Sequence, residues 1–205
     1  MVVAVEMPGE RTKYAWRREI LATRAQVDPA EHAVDAAALA AAAARLAGVD
    51  DIVCAYVAVR GEPGDLRMLD AVRERGATVL LPVTGEPGPL QWARYEGASS
   101  LRKARYGLLE PATETLPPAV VAEATTILVP ALAVDRRGVR LGRGAGYYDR
   151  TLGAARSDVR LIAVVRDNEL VDRLPEEPHD RRMGWALTPG GGLRQLGRDL
   201  PVSPE

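Results

Sequence analysis

"IVCAYVAVRGEPGDLRMLDAVRERGATVLLPV", residues 52–83, decides the architecture. Its first eight residues form an uncharged, β-rich apolar run, the pattern of a strand covered on both faces. "RGEPG" (60–64) interrupts that run. Asp65 then stands where a helix cap is wanted, "LRMLDAVRER" (66–75) reads as the helix, and Gly76 closes it. "TVLLPV" (78–83) is a second strand. Strand, helix and strand with short connectors make a βαβ unit, hence a parallel sheet and an α/β protein.

Working outward, residues 12–27 read as a helix, with Ala15, Ile20, Leu21 and Val27 near one stripe. "DPAE" (28–31) is a helix start, and the Ala-rich helix that follows stops at Gly48. On the other side, "LQWARYEG" (90–97) alternates like a strand or hairpin arm. "RYGLLEPATETLPP" (105–118) has the composition of a loop. "TTILVPALAVD" (125–135) is expected as one strand, "YYDRTLG" (147–153) as a helix, and "VRLIAVV" (159–165) and "GWALTP" (184–189) as strands. With no internal repeat and no low-complexity linker, one α/β domain over 1–205 is the economical reading, with 1–11 and 190–205 expected as flexible ends.

Composition excludes several function classes. Among 205 residues, 47% are hydrophobic and 27% charged, with a formal net charge of -1, which argues against a general nucleic-acid binder. The single cysteine, Cys54, sits in the apolar run and reads as a buried small hydrophobe, and only two histidines, His32 and His179, are present. Neither an intrachain disulfide nor a Cys/His metal centre fits those numbers. No apolar run is long enough to span a membrane, and the opening "MVVAVEMPGER" has no basic region before its apolar residues, so the cytoplasm is the expected location.

The stretch that carries chemistry is "RLGRGAGYYDR" (140–150), where Gly142, Gly144 and Gly146 alternate with Arg143 and Ala145. Glycine at every second position costs backbone entropy, so something must need the close approach. A glycine loop between a strand and a helix presents backbone N–H groups to an anion, and phosphate is the usual guest. Arg140, Arg143 and Arg150 can neutralise phosphate oxygens. Asp149 beside such a site calls for an intervening cation, ordinarily Mg²⁺. The stretch is neither a P-loop nor the dinucleotide fingerprint. A tight glycine turn packed between helix and sheet is the plain alternative.

The segment "ILVPALAVDRRGVRLGRGAGYYDRTL" (127–152) closely resembles the signature of the 5-formyltetrahydrofolate cyclo-ligase family, also called methenyltetrahydrofolate synthetases. Arg140, Leu141, Gly142, Gly144, Gly146, Tyr147, Tyr148 and Asp149 all match it. "KYAWR" (13–17) resembles the family's opening helix, with Trp16 where Leu is usual. Glu62 matches an acid after the first strand, "WARYEGASSLRKARYGLLEP" (92–111) resembles the middle segment, and "LPEEPHDRRMGWALTP" (174–189) the end. Pro189 departs from the family, where many members carry Glu.

The resemblance implies a single three-layer α/β/α domain with a mixed, largely parallel sheet, acting as a monomer. It implies an ATP- and Mg²⁺-dependent conversion of 5-formyltetrahydrofolate to 5,10-methenyltetrahydrofolate. On that basis Lys13 and Arg17 reach ATP phosphates, with Arg17 also touching folate. Arg140 through Tyr148, including Leu141, Arg143 and Ala145, form the ATP loop. Glu62, Tyr106, Arg143 and Tyr147 contact folate, and Val57 either lines the pterin pocket or packs in the core. Asp149 and Asp180 are the implied magnesium-binding acids. Trp92 and Tyr95 read as packing rather than pocket. The competing expectations are a folate- or nucleotide-binding protein without turnover and a phosphosugar enzyme on a similar sheet.

Overall fold

A computed structural model describes residues 11–59, 61–83, 85, 88–104, 107–178 and 180–197. The chain begins with helix α1 (Lys13–Arg24), where the Thr12 hydroxyl accepts the Ala15 N–H at 3.2 Å. Helix α2 (Pro29–Ala44) starts as "DPAE" predicts: Asp28 accepts the Ala30 N–H at 2.7 Å, and Pro29 takes the first turn. The βαβ unit follows as strand β1 (Ile52–Cys54), helix α3 (Leu66–Arg73) capped by Asp65, and strand β2 (Thr78–Val83). Next come β3 (Gln91–Arg94), β4 (Leu101–Lys103), β5 (Leu109–Pro111), β6 (Thr115–Leu116) and β7 (Thr126–Pro130). The chain closes with β8 (Ala133–Asp135), β9 (Arg140–Leu141), α4 (Tyr147–Leu152), β10 (Arg160–Val164), β11 (Leu170–Val171), β12 (Trp185–Thr188) and β13 (Gly192–Gln195).

The main sheet runs β13-β12-β10-β7-β1-β2-β3-β6. Its inner strands β12, β10, β7, β1 and β2 are parallel, and antiparallel partners finish both edges. Successive residues face opposite sides of the sheet. Val53, Val79, Leu81, Leu128, Ile162 and Leu187 pack under α2 and α3. Cys54, Leu80, Ile127, Val129, Leu161 and Ala186 pack on the other face, against Val121 of a 3-10 segment (Pro118–Glu123), Ala124 just after it, and Leu152 of α4. Strands covered on both faces must be apolar throughout, which is why they read as unbroken runs. The expected α/β class with a mixed, largely parallel sheet is the observed one.

Four local expectations are corrected. The 52–59 run pairs only as far as Cys54, because Tyr56, Val57 and Val59 leave the sheet to line a cavity. The expected 125–135 strand breaks into β7 and β8, since the chain turns at Ala131 and Leu132 into a second sheet of order β11-β8-β9. The 105–118 loop contains β5, paired with β4, and β6, paired with β3. Residues 192–195, within the end expected to be loose, form β13 against β12.

Asp135 organises the small sheet. It is fully buried and accepts from the Arg137 and Val139 N–H groups at 2.9 Å and from the Leu174 N–H at 3.0 Å. The hairpin between β8 and β9 turns at Gly138, whose φ of +92° and closeness to the Met183 carbonyl leave no room for a side chain. The hairpin thus enters the glycine-rich stretch from a fixed base.

Candidate active site

The strand order explains where a cavity should lie. From β1 the chain goes to β2 on one side and later returns as β7 on the other. Segments leaving the carboxyl ends of β1 and β7 therefore diverge, and open α/β sheets bind ligands in such crevices. A cavity of about 900 Å³ lies there. One wall is Tyr56, Val57, Val59 and Glu62 after β1, and another is Pro130, Ala131 and Leu132 after β7. The rim is Arg140 and residues 142–149, with Pro82, Leu90, Gln91 and Leu108 contributing.

Each wall is fixed by local bonds. The Tyr56 hydroxyl donates to the Pro63 carbonyl at 3.0 Å and closes the loop that carries Glu62. Glu62 is 8% exposed, accepts the Val59 N–H at 3.1 Å through one oxygen, and meets Arg143 Nε at 2.9 Å through the other. Arg143 and Glu62 thus bridge the glycine loop to the β1 wall. The Arg17 Nε donates to the Gly142 carbonyl at 3.0 Å, bringing α1 onto the same loop. One helical turn earlier, Lys13 Nζ reaches Asp180 at 2.8 Å and Glu177 at 3.2 Å.

Arg140 is the most enclosed cation of the rim. Its guanidinium donates to Asp149 at 2.8 Å and to the Pro130 carbonyl at 3.3 Å, and it lies 5.7 Å from the centre of the Tyr148 ring. The Tyr148 hydroxyl is buried and makes no hydrogen bond within the described residues. Burial, reinforced by the Glu62 charge, pushes that phenol far above its usual value, so it stays neutral. Helix α4 spans only six residues. Positive charge at this loop therefore comes from Arg140, Arg143 and Arg17 more than from a helix dipole.

Most of the expected positions gather here. Val57, Glu62, Arg140, Gly142, Arg143, Gly144, Ala145, Gly146, Tyr147, Tyr148 and Asp149 line the cavity, and Arg17 touches its loop. Leu141 differs: it is buried with Ile20, Leu132 and Val139, so its side chain serves packing. Lys13 and Asp180 are paired with each other outside the cavity lining. Tyr106 and His179 lie outside the described residues. Trp92 and Tyr95 are fully buried, with the Tyr95 hydroxyl donating to Asp70 at 2.9 Å, in line with packing roles. Sequence reading missed Tyr56, Leu90, Gln91 and residues 130–132, because it places Tyr56 and 130–132 inside unbroken strands. Among the described residues no group of three or more His, Cys, Asp or Glu side chains converges on one point. No helix among them is long and apolar enough to cross a membrane.

The model of the 5-formyltetrahydrofolate cyclo-ligase family matches residues 10–189. A 5-formyltetrahydrofolate cyclo-ligase from Mycolicibacterium smegmatis is 48% identical over 191 residues, covering 91% of this chain and 98% of that protein. The Escherichia coli protein of the same name is 28% identical, covering 67% of this chain and 77% of its own. In fold, the chain resembles an Aquifex aeolicus 5,10-methenyltetrahydrofolate synthetase with a TM-score of 0.72 at 24% identity, covering 93% of this chain and 96% of that one. A Mycoplasma pneumoniae 5,10-methenyltetrahydrofolate synthetase gives 0.69 at 17% identity, covering 86% and 98%. On the strength of the family match and the 48% identical relative, the chain belongs to the 5-formyltetrahydrofolate cyclo-ligase family.

Proposed function

We propose that this enzyme converts 5-formyltetrahydrofolate to 5,10-methenyltetrahydrofolate with ATP and Mg²⁺, releasing ADP and phosphate, as one catalytic domain working as a monomer in the cytoplasm. The observation that carries the reading is one cavity whose walls offer a buried carboxylate, Glu62, on one side and a glycine loop with Arg140 and Arg143 on the other. A volume of about 900 Å³ is enough for a pterin and the end of a triphosphate together.

The N5-formyl group is amide-like, and its oxygen is a poor leaving group. Transfer of the γ-phosphoryl group to that oxygen breaks the terminal P–O bond of ATP and releases ADP. It leaves an imidate-like phosphate on C–O. The N10 lone pair then attacks the same carbon, C–O cleavage expels phosphate, the N10 proton passes to solvent, and the ring is closed. Such transfer needs positioning and charge neutralisation more than a nucleophilic side chain. That suits a chain with two histidines and a cysteine buried on the sheet.

In this reading Glu62 accepts the pterin N–H donors, and Tyr147, Val57 and Tyr106 supply contact surface. The glycine loop, Arg140, Arg143, Arg17 and Lys13 hold the phosphates. Mg²⁺ takes one or two carboxylates and leaves its other positions to water and phosphate oxygens. Asp149, on the cavity rim, would be the first carboxylate, and Asp180, held beside Lys13, the second. The ion would neutralise charge developing on the β- and γ-phosphates.

The test mixes purified protein, Mg²⁺, ATP and 5-formyltetrahydrofolate and follows the near-ultraviolet absorbance of the methenyl product. A rise that requires ATP and is lost in Asp149→Ala is expected. A flat trace from folded protein that binds ATP would refute turnover and favour a binding protein.

A further inference from the structure

Helix α1 carries Arg17 to the glycine loop and Lys13 to Asp180, yet little apolar surface holds it. Of its 12 residues only Ile20 and Arg24 are buried, and Tyr14 and Leu21 are exposed. Arg24 lies seven residues after Arg17, two turns along the same face. Its side chain is 2% exposed and that of Glu169 is 5% exposed. The two meet fork to fork: Nε to Oε1 at 2.6 Å and Nη2 to Oε2 at 2.8 Å. Arg24 Nη2 also donates to the Ala131 carbonyl at 2.7 Å, and Glu169 accepts the Arg166 N–H at 2.8 Å. Ala131 is cavity wall, and its neighbour Pro130 gives its carbonyl to Arg140.

We propose that Arg24 and Glu169 are positioning residues: their buried fork sets the rotation and height of α1, and so places Arg17, and Lys13 one turn beyond it, at the phosphate end of the site. The proposal rests on the phosphate-binding role given to α1 above. Ile20 and the partly buried Trp16 pack on one apolar cluster and fix which face of the helix meets the domain, but apolar contacts of this kind leave its rotation and height loosely set. A planar bidentate pair with a third bond to a wall carbonyl does not. Lysine in place of Arg24 keeps the charge but loses the fork. Because a displacement of about 1 Å can cost up to a hundredfold in a positioned site, the loss is read at Arg17 rather than at Arg24.

The test is a double-mutant cycle on the full chain, with MgATP affinity from calorimetry and thermal midpoints measured in parallel. Arg24→Lys is expected to weaken MgATP binding about tenfold in the wild-type background and less than about twofold when Arg17 is already Ala, while its loss of thermal midpoint is the same in both. Glu169→Gln, which keeps the shape of the side chain, is expected to give the same pattern and covers the case in which Arg24→Lys does not fold. Equal weakening in both backgrounds, or failure of both variants to fold, would overturn the positioning role in favour of a purely structural one. If Arg17→Ala itself leaves MgATP affinity unchanged, the phosphate-binding reading of α1 falls first, and this proposal with it.

Discussion

A methyl group at Gly142 is expected to disable the site while sparing the fold. The Cβ would stand 2.7 Å from Arg140 Nη1, although Gly142 does not have the left-handed backbone that would itself oppose alanine. Relief to ordinary contact needs a shift of about 0.7 Å in a guanidinium that is pinned by Asp149 and Pro130. Such a shift stretches the 2.8 Å Arg140–Asp149 bond to roughly 3.5 Å, beyond a charge-assisted hydrogen bond. A hydrogen bond of that class contributes about 1.5–3 kcal/mol, so kcat/KM should fall by about ten- to a hundredfold. The thermal midpoint should fall by less than about 10 °C. Gly144→Ala is the contrast: its φ of +104° strains an added side chain, but the nearest atom to the Cβ is Arg17 Cζ at an ordinary 3.5 Å. It should lose about 1–2 kcal/mol of stability from the backbone without displacing Arg140. Both are measured by steady-state appearance of the methenyl product and by thermal melts. Wild-type kcat/KM in folded Gly142→Ala would refute the claim that the loop's closeness to Arg140 matters.

Glu62→Gln removes the charge that meets Arg143 and that, in the proposed reading, would also accept the pterin donors; KM for 5-formyltetrahydrofolate is expected to rise at least about tenfold, with KM for ATP changing less than about threefold, in the same assay. Gly138→Ala drives a Cβ into the Met183 carbonyl at φ +92° and should cost about 3 kcal/mol or more, visible as a drop in urea midpoint with KM values unchanged in the folded fraction. Burial pushes the Cys54 thiol from 9.0 up to about 12. The unfolded chain therefore releases that proton first, so its contribution is complete below pH 9 and is lost as pH rises towards 12. The urea midpoint should decline over that window, less steeply in Cys54→Ala, and native protein should resist iodoacetamide at pH 8 while unfolded protein reacts.

What could be read beforehand was what neighbouring residues determine. Asp28, Asp65 and Gly76 are helix punctuation, and the apolar runs of β2 and β10 declare strands covered on both faces. The glycine stretch is likewise a local constraint. The break between β7 and β8 was only faintly legible: Pro130, which has no N–H to donate, is the one mark of it in "TTILVPALAVD". The chain bends where side chains from distant positions, Arg24 and Arg140, bind the carbonyls of Ala131 and Pro130. Tyr56 and residues 130–132 became cavity wall only once β7 was placed beside β1, and strand order is a property of the whole chain. Lys13 and Asp180 are separated by 167 positions, so no spacing rule could have paired them.

The end of β7 also accounts for much of the charge around the cavity. Where the chain leaves the sheet at Pro130 and Ala131, two carbonyls enter a buried region and need donors. Both donors are arginines, which brings two guanidinium charges out of water. A buried guanidinium is tolerable only beside an acid with good geometry, and each has one: Glu169 for Arg24 and Asp149 for Arg140. The first pair is closed off, with both side chains almost fully buried, and acts as an anchor. The second opens onto the cavity, where Asp149 keeps 28% of its side chain exposed. The same requirement, met twice at consecutive carbonyls, thus yields one closed ion pair and one whose acid faces the cavity.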